Sequence, residues 1–149
     1  MRNAYALTAA IVFALSLSAC DRPENPTETR KDVAEARQEG AENVAEQRED
    51  AAETRAEGAD EVADQINDDP EDMRDAQAEA SRDNAEAAYD VAIAQADATK
   101  KVETEKCDAI TGEARDACQS AADAAYDAAK ADAQMKLDAA KAAADAQDD

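Results

Sequence analysis

The chain has no histidine and no tryptophan, and aromatic residues make up 3% of its 149 positions. The side chain best suited to proton transfer near neutral pH, and the commonest metal ligand, is therefore missing. Large aliphatics are equally scarce. Beyond residue 19 there are five valines (33, 44, 62, 91, 102), three isoleucines (66, 93, 110), one leucine (Leu137) and no phenylalanine. That is about 7% of the positions, far below the roughly 20% under which a highly charged chain no longer builds a packed core. The only serines in this stretch are Ser81 and Ser120, and neither a Gly-x-Ser-x-Gly elbow nor a phosphate-binding glycine loop occurs. We expect no enzyme, no catalytic residues, no cofactor, no metal site and no small-molecule substrate. Asp68-Asp69 and Glu71-Asp72 lack the ligand spacing of a calcium loop and read as solvated helix-capping residues.

Alanine and acid fill the chain instead. It carries 37 acidic against 16 basic residues, a net charge of −21, and all the acids follow residue 19. Beyond that point the net charge is −22, because only Arg2 precedes it. Such a charge favours extension and opposes close approach to nucleic acid or to anionic lipid headgroups. Alanine is the best helix former, followed closely by Glu, Gln, Arg and Lys, yet it buries little area. The composition thus predicts an all-α chain of elongated, partly disordered helices without a globular core.

Residues Ala4–Ala19 form a short apolar run, too short to span a bilayer comfortably. It ends Leu17-Ser18-Ala19-Cys20, which resembles the lipobox of bacterial lipoproteins. The resemblance implies removal of residues 1–19, diacylglycerol on the Cys20 sulfur and a third acyl chain on its amine. It implies a protein of a Gram-negative envelope, periplasm-facing, whose partner is the lipid bilayer through acylated Cys20. Asp21 resembles the residue that retains such proteins at the inner membrane, which tilts the expectation that way without excluding the outer one. Residues 20–28 are polar and proline-containing and read as a flexible tether.

Residues 29–67 read as one acidic helix, with Thr27 or Thr29 as its N-cap. Val33-Ala34-Glu35-Ala36-Arg37, Val44-Ala45-Glu46-Gln47-Arg48 and Val62-Ala63-Asp64-Gln65 repeat with valines 11 and 18 residues apart. Eleven residues make three turns, so the valines share one stripe, which Ile66 extends. Gly40 and Gly58 mark either close approach to a partner helix or, the reading we expect, exposed positions in a loose helix. These repeats resemble those of late-embryogenesis-abundant and apolipoprotein helices. Asn67–Asp72 forms the clearest boundary, with Asp69 as cap and Pro70 at the first position of the next helix. In residues 70–110, Tyr89, Ile93, Ala96, Lys100 and Cys107 share a stripe. Beyond Glu113, a narrow face carries Cys118, Ala122, Ala125, Ala129, Ala133, Lys136 and Ala140, flanked by Tyr126 and Leu137.

With Cys20 acylated, Cys107 and Cys118 remain. On one continuous helix they would lie about 16 Å apart, whereas a disulfide needs Cα atoms within roughly 7 Å. They can join only if the chain reverses between them. Thr111-Gly112 supplies that reversal, glycine ending one helix at positive φ and Thr111 capping the next. The expectation is an antiparallel helical hairpin over 70–146, turning near 110–113 and stapled by the disulfide. A zinc site or a redox Cys-x-x-Cys pair does not fit this composition and spacing.

The run Cys107-Asp108-Ala109-Ile110-Thr111-Gly112-Glu113-Ala114-Arg115-Asp116-Ala117-Cys118 resembles a motif of small uncharacterised, alanine-rich proteobacterial envelope proteins, often labelled TolA-like. Their pattern is Cys-Asp-x-Leu-x-Gly-x-Ala-Lys-x-x-Cys, from which Ile110 and Arg115 depart mildly. As a lipidated helix the chain also partly resembles the murein lipoprotein, without its strict heptads or terminal lysine. Together these resemblances imply a structural or interaction role in the envelope, as scaffold or spacer, with an envelope protein or a second copy as further partner. The alternative is a stress-protective, conditionally helical polyelectrolyte.

Overall fold

The computed structural model describes residues 22–67 and 69–148, where three long helices follow one another. They are α1 (Pro26–Asp64), α2 (Pro70–Cys107) and α3 (Glu113–Asp148), and a 3-10 turn, Gln65–Asn67, closes α1. No strand occurs among the described residues. Cys20, Asp21 and the apolar run before them lie outside these residues.

Helix α1 starts earlier than the sequence suggests. Its N-cap is Asn25, whose side-chain oxygen accepts the Thr27 N–H at 2.9 Å, with Pro26 at the first helical position. Asparagine there outcompetes Thr27 and Thr29 because proline at N1 fixes the helical φ one step earlier. Thr29 is buried instead, its hydroxyl donating to the Asn25 carbonyl at 3.4 Å. The expected tether is shorter in consequence. Residues 26–28 are helical, and the Glu24 N–H donates to the Asp108 carbonyl at 3.0 Å, which ties the chain to the far end of α2.

Both neighbours of α2 run antiparallel to it, and they occupy opposite sides. Among the described residues no α1 Cα comes within 8 Å of an α3 Cα, whereas both helices pack along α2. The sequence of α2 explains why. At about 100° per residue, Ala76, Ala80, Ala94 and Ala98 share one side, and Ala78, Ala96 and Cys107 share the opposite one. The result is a flat layer of three helices, each about 55–60 Å long. Helix α1 lies along the whole of α2.

The seams are built from small residues. Among the described residues every buried apolar side chain is alanine except Cys107. On α1 the buried residues are Thr29, Ala36, Gly40, Ala51 and Gly58. They form two interleaved series 11 residues apart, 29/40/51 and 36/(47)/58, and Ala122, Ala133 and Ala144 form a third on α3. An 11-residue period keeps a stripe almost parallel to the helix axis over many turns. The valines are therefore half-buried flanks rather than the seam itself, and Ile66, carried out by the 3-10 turn, is 64% exposed.

Gly40 and Gly58 are close approaches, contrary to the reading from sequence. A Cβ on Gly40 would stand 2.6 Å from the Ala98 Cβ, and one on Gly58 would stand 2.9 Å from the Ala80 Cβ. These contacts also fix the register, since 40 pairs with 98 as 58 pairs with 80.

Candidate interaction surface

The stapled turn holds one end of the layer. Cys107 and Cys118 are disulfide-bonded with Cα atoms 5.7 Å apart. Helix α2 ends at Asp108 in right-handed conformation, and the Ile110 N–H returns to the Cys107 carbonyl. Gly112 has φ 64°, and its carbonyl accepts the Asp116 N–H. It thus occupies the N-cap position of α3, so the glycine begins the third helix rather than ending the second, and Thr111 stands one residue outside. A residue with a Cβ would be strained at that φ. At the opposite end the reading from sequence agrees with the structure: Asp69 accepts the Glu71 N–H at 3.1 Å and Pro70 opens α2.

A flat layer has two faces, and here they differ in charge. Every carboxylate of α2 from Asp72 to Asp97 (72, 75, 79, 83, 86, 90, 97) falls within one third of the helix circumference. The groove between α1 and α2 on that side is lined by Asp50, Glu57, Asp83, Glu86 and Asp90. Nearer the stapled end the same side carries Asp32, Glu35, Glu39 and Glu105 around Lys101. We term it the acidic face. Its margin toward α3 is neutralised by ion pairs Lys100–Asp123 (2.8 Å), Arg82–Asp145 (2.9 Å) and Lys141–Glu86. The Asp123 hydrogen bond and charge raise the Lys100 pKa, and the Glu86 hydrogen bond raises that of Lys141. Both lysines therefore stay charged throughout the neutral range.

The other side carries Arg30, Arg37, Arg48 and Arg55 of α1, spaced 7, 11 and 7, which places all four within about 20° on the helix. Arg30 and Arg37 share a groove with Val33 and with Lys106 of α2. On this side α2 shows Gln77, Ser81, Ala88, Ala92, Gln95 and Thr99, with no carboxylate between Arg74 and Glu103. Between α2 and α3 the groove here is lined by Ala92, Ala96, Ala125 and Ala129 together with Glu103, Asp132 and Lys136, and Lys100 stands 5.2 Å from the Tyr126 ring centroid. We term this the arginine face.

Sequence reading missed this division, although the signal was present. It lies in the 7-11-7 spacing of the arginines and the 3-, 4- and 7-residue spacing of the α2 acids, which have meaning only once α2 is known to have a neighbour on each side.

Glu105 reports on the acidic face. Partial burial, then Asp108, Asp32, Glu24 and Glu35, raise its pKa above the ordinary glutamate value. A carboxyl that binds its proton more tightly when folded opposes folding once ionised. Between its unfolded and its raised folded pKa the native state holds more protons, so stability falls as pH rises through that window. We expect the thermal midpoint to climb as pH is lowered from neutral toward the glutamate range. Glu105→Gln should raise the neutral-pH midpoint and flatten that climb, as read by circular dichroism melts at several pH values.

No protein-family model, curated protein or solved structure matches this chain.

Proposed function

We propose that the chain is a lipid-anchored lipoprotein of a Gram-negative envelope with a non-enzymatic scaffold or spacer role, held at Cys20 and facing the periplasm. The observation that carries the reading is the apolar run ending Leu17-Ser18-Ala19-Cys20, followed immediately by an acidic, helix-forming chain. Several acyl chains make such attachment effectively permanent, whereas one would be marginal. The paired Cys107 and Cys118 support it, because disulfides persist in oxidising compartments. Among the described residues no helix is long and apolar enough to cross a membrane. Asp21 favours the inner membrane.

Register-specific glycine contacts and a staple support a built scaffold over a conditionally helical protectant. A cooperative melt in dilute buffer is the expected behaviour, and helix gained only on drying or in trifluoroethanol would favour the protectant.

Mass spectrometry of the N-terminal peptide from membranes tests the anchor. It should begin at Cys20 and carry three acyl chains, and Cys20→Ala should abolish both the fatty acid and processing at that site. An unmodified native peptide, or unchanged processing of the variant, would overturn the reading.

A further inference from the structure

We propose that the arginine face lies flat on the anionic headgroups of the bilayer that holds the anchor, with the acidic face turned to the periplasm. This rests on the lipoprotein reading above and names the surface through which the layer meets its membrane.

Three observations converge on it. Arg30, Arg37, Arg48 and Arg55 run nearly the length of α1 in one line, and no ion pair to any of them occurs among the described residues. Guanidinium groups bind phosphate oxygens in bidentate fashion, and they hydrate weakly enough to exchange water for a headgroup. The rest of the face is low and almost uncharged: Ala88, Ala92 and Thr99 on α2, then Ala121, Ala125 and Ala128 on α3. On α2 headgroups meet no carboxylate between Arg74 and Glu103, and Asp132, which α3 contributes to this face, is paired with Lys136 at 2.6 Å. Met135, 64% exposed, sits where this face turns onto the outer edge of α3.

The second observation is where the chain enters. Glu24 is bonded to Asp108, so the N-terminal segment joins the layer at its stapled end, beside Arg30, Arg37 and Lys106. Ile110, 39% exposed, lies in the turn at that same end. The six residues from Cys20 to Pro26 span at most about 20 Å. That reach is comparable with two Debye lengths at physiological salt, so the stapled end of the layer, with Arg30, Arg37 and Lys106, stays within the surface potential.

The third is the acidic face itself. With Asp32, Asp50, Glu57, Asp83, Glu86 and Asp90 on one side and the arginines on the other, an anionic surface attracts one broad side of the layer and repels the other. The net charge of −22 repels the untethered chain from such a surface, so docking depends on the high local concentration that the anchor imposes. A second copy, offering its acidic face to the arginines, is the competing occupant. It would bring the full negative charge of another chain with it, and it would generate an open head-to-tail stack.

The test uses the purified full-length product, its N-terminal mass measured first. Fluorophores are placed on Ala59→Cys (arginine face) or Glu57→Cys (acidic face), both at the end of α1 remote from the anchor. The protein is inserted into vesicles of phosphatidylcholine with or without phosphatidylglycerol, each containing a trace of headgroup-nitroxide quencher. Quenching at position 59 should exceed that at 57 several-fold in anionic vesicles. The excess should vanish in neutral vesicles, in high salt, and in a variant with the four arginines changed to glutamine. Equal quenching at both positions, or an excess indifferent to lipid charge and to the arginines, would overturn the docking and leave the anchor standing. Probe self-quenching that grows with protein density would overturn it in favour of stacked copies. An N-terminal peptide without acyl chains would bring down the lipoprotein reading and the docking with it.

Discussion

Gly40→Leu should detach α1 from α2 over its first half, with loss of the cooperative melt of that helix and fast amide exchange across residues 30–50. The physical reason is the distance at the seam. Even the methyl of Gly40→Ala would stand 2.6 Å from the Ala98 Cβ, and both atoms are carried directly on helix backbones with no flexible end to yield. Overpacking of this kind costs about 1–3 kcal/mol. It is opposed by the roughly 1 kcal/mol by which alanine exceeds glycine in helix propensity. For alanine a net loss of up to about 2 kcal/mol remains, whereas for leucine the steric cost is larger still. A reciprocal pair separates packing from propensity: Gly40→Ala with Ala98→Gly moves one methyl across the seam and should recover the packing loss of Gly40→Ala. If Gly40→Ala instead stabilises the protein by the full propensity gain and Ala98→Gly adds nothing to it, the two helices are not in register there.

The second large effect lies at the stapled turn. Replacing Cys107 and Cys118 by serine, or reducing the bond, should cost about 2–3 kcal/mol of stability, the amount expected for closing a loop of this length. That is a large share of what a layer with alanine seams can muster, because each buried alanine contributes little. The surface pairs do not compensate: Lys136–Asp132 and Lys106–Glu103 are exposed contacts within one helix and contribute a few tenths of a kcal/mol at most. Reduction should lower the midpoint of a chemical melt and loosen α3 first, since it is held to α2 by the staple and the Lys100, Arg82 and Lys141 pairs. An unchanged midpoint after reduction would show that the seam alone determines the hairpin.

Much of the architecture is legible in the chain. Helix class, the boundary at Asp69-Pro70, the reversal at Thr111-Gly112 and the pairing of Cys107 with Cys118 all follow from local chemistry, and local chemistry is what sequence expresses directly. What escapes is relational. Gly40 is indistinguishable from a tolerated surface glycine until Ala98 is known to face it. Likewise, an 11-residue valine stripe looks like a seam because valine is the largest apolar residue available. The structure uses the smaller residues beside it, since alanine and glycine allow backbones close enough for dispersion contacts to accumulate. The placement of α1 along α2 escapes for the same reason, because its apolar stripe is too weak to announce a partner. Asn25 as cap and Gly112 as the start of α3 are shifts of a few residues, decided by which backbone groups find partners first.

The two-sided layer is the claim from which the rest proceeds, and a distance between its outer helices tests it most directly. Nitroxides at Ala41→Cys on α1 and Ala128→Cys on α3 stand at the same level of the layer, both on the arginine face. With α2 between them, two interaxial spacings of about 8–10 Å each place the helices about 16–20 Å apart. Pulsed electron resonance should return one distribution centred in that range or slightly beyond it. A dominant population near a single interaxial spacing would mean that α1 and α3 touch, that the three helices close into a bundle, and that the separate acidic and arginine faces do not exist.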